Sequence, residues 1–330
     1  MTDEEVFRKN ILEFNLQLKP GAITTSGLEK LKGLTPDALI LVGMGGSGTP
    51  GTILQNLSEY ANIHIPIVSW KDFGLPHGST GPSGSFKRPL YIFISFSGNT
   101  RETLSGFSKL PKDSMIAVVA SGGTLLVEAK KRGLPYVTFA EGTLQPRQGY
   151  GLTFSGVLAI LNAVAPITAL RDMSSVIQPA EHEAYGKLIA QKITAAIPYI
   201  YTSSAQSHIG QIFKISINES GKLPASANVF PEMNHNELSI FETKPANVIA
   251  LFITTKAERS TIEKEINIIK QILTEYEVRV EVIEIPGNDD FEITLNGIVL
   301  AQWVGYYAAT LRGINPLSIK TVNRIKELTK

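Results

Sequence analysis

Short unbroken apolar runs alternate with amphipathic stretches along this chain, and the rhythm predicts an α/β protein. In the first half, runs at 38–43, 64–69, 90–95, 115–120 and 136–139 are bounded by Gly, Pro or Ser clusters and read as buried strands. An amphipathic helix is expected at 5–18, another runs to about residue 60, and a long one covers 153–165. The Gly/Pro/Ser-rich stretch 73–87 reads as a loop and 166–179 as a linker. Strands that are apolar on both faces, alternating with helices, imply a parallel sheet covered on each side. The second half repeats the scheme, with strands at 197–202, 248–254 and 279–285 and helices at 203–209, 259–276 and 293–311. Residues 252–259 line up with 93–100, as a duplicated domain would. The expectation is two doubly wound parallel-sheet domains in tandem, 1–170 with the N-terminal helix and 171–330.

Composition narrows the function. The net charge is +1 and 18% of residues are charged, with no basic block, which argues against a nucleic-acid partner. The chain has no cysteine, so disulfides, thiolate catalysis and Cys-based zinc sites are excluded. Met1-Thr2-Asp3-Glu4-Glu5 is acidic and lacks an apolar signal core. No apolar run approaches the ~18 residues of a membrane span. A cytoplasmic protein with no membrane partner is expected.

The most telling segment is Ser95-Phe96-Ser97-Gly98-Asn99-Thr100, between a strand and the start of a helix. Unpaired backbone N–H groups converge at such a point and favour a dianion. Ser95, Ser97 and Thr100 add hydroxyl donors, and Gly98 lets the backbone close in. GxxxxGK[ST] is absent, so this is no nucleotide P-loop, and a small phosphorylated metabolite bound without metal fits. An ordinary capped helix with a polar turn would look the same. The earlier turn Gly43-Met44-Gly45-Gly46-Ser47-Gly48 lacks the acidic residue at the end of the next strand that a dinucleotide site needs. Ligands of doubly wound sheets bind where the strand order reverses, so Gly46 and Ser47 could face Ser95, Ser97 and Thr100 across one crevice.

Arg147 lies in the loop Gln145-Pro146-Arg147-Gln148-Gly149, where it could steady an oxyanion or simply face solvent. Glu219 ends a helical pattern, and His235 sits in Pro231-Glu232-Met233-Asn234-His235-Asn236-Glu237. A carboxylate and an imidazole near a sugar phosphate could move protons. No HExxH occurs, and neither a metal nor another cofactor is expected.

In this order, GMGGSG, SFSGNTRET, PRQGY, NES and PEMNHNEL resemble the bacterial and archaeal bifunctional phosphoglucose/phosphomannose isomerases. These are sugar isomerase (SIS) domain proteins. The resemblance implies two SIS domains, phosphate ligands at Gly46, Ser47, Ser95, Ser97 and Thr100, and an intermediate-stabilising Arg147. It implies Glu219 as the proton shuttle between carbons 1 and 2, and His235 as a ring-opening residue reaching the site from the other subunit of a homodimer. Lys326 resembles a lysine that assists ring opening. The implied reaction joins glucose and mannose 6-phosphates to fructose 6-phosphate through a cis-enediol. A non-catalytic SIS-domain sensor of sugar phosphates, or an amido-sugar isomerase, is the alternative.

Overall fold

A computed structural model of the chain describes residues 1–79, 85–111, 113–167, 173–256, 258 and 260–328, leaving aside the side chains of residues 260, 261 and 326. Two compact units form, one from Glu13–Ile177 and one from Met1–Leu12 with Gln178–Lys330.

Helix α1 (Asp3–Leu12) opens the chain, followed by a tight 3-10 turn, Phe14–Leu18, and a three-residue strand β1 (Thr24–Ser26). The expected helix at 5–18 is therefore broken at Glu13, and its two parts join different units. The reason lies in α1's partners. Phe7 stacks on Tyr306 at 5.9 Å between ring centroids. The Arg8 guanidinium forks onto Glu183 at 2.7 and 2.6 Å, and the Tyr307 hydroxyl donates to the same carboxylate at 2.6 Å. These partners hold α1 to the unit made by the second half of the chain.

The Glu13–Ile177 unit then runs β2 (Leu39–Val42), α2 (Thr49–Asn56), β3 (Ile67–Trp70), β4 (Leu90–Ser95), α3 (Arg101–Phe107), β5 (Met115–Ala120), α4 (Gly123–Lys131), β6 (Tyr136–Thr138), α5 (Tyr150–Val164) and α6 (Met173–Val176). Its six strands lie in the order β1-β6-β5-β4-β2-β3. All pairs are parallel except the antiparallel edge pair β1–β6. The β2 and β4 side chains are buried throughout because helices cover both faces, which is why the sequence shows them as continuous apolar runs. After β3 the chain crosses back to the other side of β2, so the sheet reverses between β2 and β4.

The second half contributes α7 (Glu183–Ile193), β7 (Ile197–Ser203), α8 (Ser207–Glu219), β8 (Ser226–Phe230), α9 (Met233–Asn236), β9 (Val248–Thr255), α10 (Ser260–Glu275), β10 (Arg279–Ile285), α11 (Asp290–Thr310) and α12 (Lys320–Leu328). Its parallel sheet has the order β10-β9-β7-β8. Laid on the first sheet, this is β5-β4-β2-β3, the same winding with the same reversal. The expected doubly wound duplication is present.

Candidate active site

The two glycine- and hydroxyl-bearing turns leave the carboxyl ends of β2 and β4, the adjacent parallel strands at the reversal. That is where open parallel sheets bind ligands. The Phe96 N–H donates to the Ser47 hydroxyl oxygen at 2.9 Å, joining the turns directly. Ser47 still has its own O–H to donate to an anion. Gly43 carries no side chain because a Cβ there would sit 2.6 Å from the Ser47 carbonyl oxygen and 2.9 Å from that of Ile94.

In the second turn, the Ser95 and Thr100 hydroxyls lie 2.9 Å apart, with Ser95 fully buried. Ser97 is exposed and accepts the Asn99 N–H at 3.3 Å. Gly98 takes φ +69°, and a Cβ on it would meet the Gly122 carbonyl oxygen at 1.8 Å. The close approach read from the sequence is thus made to the neighbouring turn. The Gly98 carbonyl accepts the Leu125 N–H and the Asn99 side-chain oxygen the Thr124 N–H, both at 2.9 Å, which ties the turn to the start of α4. Helix α3 has seven residues, so an anion here relies on hydroxyls and turn N–H groups more than on a helix dipole.

Arg147 is 4% exposed, which removes the solvent-facing alternative. Its loop rests on both turns. A Cβ on Gly46 would lie 2.6 Å from the Pro146 carbonyl oxygen, and one on Gly149 would lie 2.1 Å from the Phe96 ring. The loop of Arg147 therefore packs on the two turns that carry Gly46 and Ser47, and Ser95, Ser97 and Thr100, and it brings a buried, permanently charged side chain to this corner of the unit. Such a corner can hold a phosphorylated anion and offset charge that develops on it.

Glu219, His235 and Lys326 lie in the other unit, on α8, α9 and α12. Glu219 is the last residue of α8 and half-buried. Its surroundings are pinned: the Lys222 ammonium donates to the Glu219 carbonyl, and the Arg312 guanidinium to those of Gly221 and Lys222. His235 is exposed on a four-residue helix, with its N–H bonded to the Glu232 carbonyl at 3.1 Å. The Lys326 side chain is outside the described residues. Among the described residues no group of three His, Asp or Glu side chains could hold a metal ion, and no helix is long and apolar enough to cross a membrane.

One site residue escaped the sequence. The buried Gln17 amide donates to the Gln148 carbonyl at 2.9 Å and accepts the Gly151 N–H at 3.1 Å. Nothing in Phe14-Asn15-Leu16-Gln17-Leu18 points to a partner more than 130 positions away.

Comparison with known proteins places the chain among its relatives. Residues 182–328 match the family described as the bacterial phospho-glucose isomerase C-terminal SIS domain. The chain is 30% identical over 306 residues to a bifunctional phosphoglucose/phosphomannose isomerase of Aquifex aeolicus, covering 91% of this chain and 92% of the relative. A protein of the same name from Caldicellulosiruptor bescii is 29% identical over 88% of each chain. The glucosamine-6-phosphate deaminase structure from Thermotoga maritima superposes with a TM-score of 0.68, covering 96% of both chains at 16% identity, a likeness of fold.

Proposed function

Since the chain belongs to the family of bifunctional phosphoglucose/phosphomannose isomerases, we propose that its two hydroxyl-bearing turns hold the substrate phosphate for proton transfer through a cis-enediol. The protein is an isomerase that interconverts glucose 6-phosphate and mannose 6-phosphate with fructose 6-phosphate. The observation that carries the site reading is the Phe96 N–H to Ser47 bond, which sets both turns at the sheet reversal with the loop of buried Arg147 packed on them.

The chemistry runs as follows. Gly46, Ser47, Ser95, Ser97 and Thr100 bind the phosphate, so binding energy remote from the reacting carbons holds the substrate in place. His235 passes a proton between the ring oxygen and the carbon-1 hydroxyl as the pyranose opens, and Lys326 assists. Glu219 takes the proton from carbon 2 of the open aldose. The enediolate's negative charge is offset by Arg147. Glu219 returns the proton to carbon 1, while a proton leaves the carbon-2 oxygen and another joins the carbon-1 oxygen. The two aldoses differ only at carbon 2 and share the enediol, so one base serves both when the intermediate rotates to offer it either face of carbon 2. No step requires a metal or redox cofactor. On this reading the enzyme works in the cytoplasm as a homodimer, with His235 serving the site of its partner copy.

The test is a coupled assay on both aldose phosphates with wild type and Glu219→Gln. The variant keeps shape without basicity, so turnover should fall ~10²–10⁴-fold on each substrate. Fructose 6-phosphate should still bind, and exchange of the carbon-bound proton in heavy water should stop. Near-normal turnover in Glu219→Gln would remove this carboxylate from the mechanism.

A further inference from the structure

Helix α5 begins immediately after the arginine loop, and its N-terminal flank is Gly149, which has no side chain to cap the first turn. Helix starts leave backbone N–H groups without intrahelical partners. One of these, the Gly151 N–H, is taken by the Gln17 side-chain oxygen at 3.1 Å. The other end of the same amide donates to the Gln148 carbonyl at 2.9 Å, one residue past Arg147. An amide can satisfy a donor and an acceptor only in one orientation, and here both ends are used. Gln17 is 5% exposed and Gln148 1%, so neither bond is shared with bulk water. The fit is close: a Cβ on Gly151 would stand 2.7 Å from the Gln17 Cβ. The 3-10 turn that carries Gln17 is fastened to α5 again, the Ser155 hydroxyl donating to the Gln17 carbonyl at 3.4 Å.

We propose that Gln17 is a positioning residue for Arg147, acting as a remote cap on α5 that fixes the arginine loop against the two phosphate turns. The inference rests on the role given above to Arg147. A guanidinium contributes to an enediolate only if it is held where the charge develops, and a displacement of about 1 Å can cost ~10²-fold in rate. Gln17 touches no substrate. Its contribution is to turnover, because the hydroxyls that hold the phosphate lie on other segments.

The experiment is a double-mutant cycle on the full-length enzyme with Gln17→Met, which keeps volume and removes both bonds, and Arg147→Ala. Gln17→Met should lower kcat about 10- to 100-fold per folded enzyme, with KM for fructose 6-phosphate changed less than about threefold. In the Arg147→Ala background the same change should have almost no further effect on kcat. A residue that only supports the fold would lower the thermal midpoint and reduce kcat equally in both backgrounds; that result overturns the inference, as does an unchanged kcat. If Arg147→Ala alone keeps full turnover, the role of Arg147 falls and this inference with it, a result distinct from failure of Gln17 alone. Should Gln17→Met not fold, Gln17→Glu takes its place. Protonated, its carboxyl makes both bonds; ionised, it can only accept. Its kcat relative to wild type should fall as pH rises through the carboxyl pKa, and a flat ratio would count against the proposal.

Discussion

Ser47 and Ser97 carry the same hydroxyl in different surroundings, and that difference separates binding from folding. Ser47 is buried and accepts the Phe96 N–H; Ser97 is exposed. Ser47→Ala leaves a buried N–H unpaired, which costs ~1–3 kcal/mol of stability. On the proposed reading it also removes a phosphate donor, so KM should rise along with the loss of stability. Ser97→Ala should raise KM for the sugar phosphate with the urea midpoint unchanged. Equal unfolding midpoints for the two variants would contradict the structural half of this argument, and equal KM values for wild type and Ser97→Ala the functional half. The hydroxyls were legible in the sequence because strand, turn and helix start are contiguous. The burial of Arg147 was not, since it depends on Gly46 and Gly149, glycines with no local signature of what approaches them.

At the scale of elements, α8 and α11 decide how Glu219 is held. Gly305 of α11 faces the Ser216 carbonyl of α8, where a Cβ would come within 2.5 Å. Gly305→Ala must push the helices apart, at about 1–3 kcal/mol by the usual cost of overpacking. Because α8 ends at Glu219, kcat should fall while KM moves little; a stable Gly305→Ala enzyme with normal kcat would show that the base does not depend on this packing. The pair also carries a pH dependence. His208 on α8 lies 2.9 Å from the Thr294 hydroxyl of α11, and burial pushes its imidazole down to about 3. His182, bonded to Asn296 of α11, is lowered for the same reason. In the unfolded chain both titrate near ~6.5. Between that value and about 3 the unfolded state binds the extra proton at His208, so stability is full above about 6.5 and falls as pH drops. The slope is ~1.4 kcal/mol per pH unit for one group. Urea midpoints at pH 7 and pH 5 should differ in wild type and differ less in His208→Gln, where the share of His182 remains. An undiminished difference in the variant would exonerate this histidine.

Across the whole molecule, the repeated winding was readable because β2, β4, β7 and β9 are buried deeply enough to be written as apolar runs. Of the edge strands, β3 and β10 were readable but β1 and β8 were not: Thr24-Thr25-Ser26 is wholly polar, and Ser226-Ala227-Asn228-Val229-Phe230 is mixed. Their pairing is set by neighbours, not by hydrophobic period. The split of the N-terminal segment was equally hidden, since both parts keep helical spacing and only their tertiary partners differ. The chain also leaves the His235 side chain in solvent, although the mechanism proposed above places it at a substrate. A second copy resolves the conflict if each site takes Glu219 from one subunit and His235 from the other. Inactive Glu219→Gln and His235→Asn dimers, mixed and allowed to exchange subunits, then give heterodimers in which both lesions fall in one site and the other is intact. With half the dimers mixed and half their sites whole, activity should recover to about a quarter of wild type. If His235 acts within its own subunit, every site of the mixed dimer keeps one lesion and nothing returns. No recovery after verified exchange would therefore reject the shared site, while the proton-transfer role of Glu219 would stand on its own test.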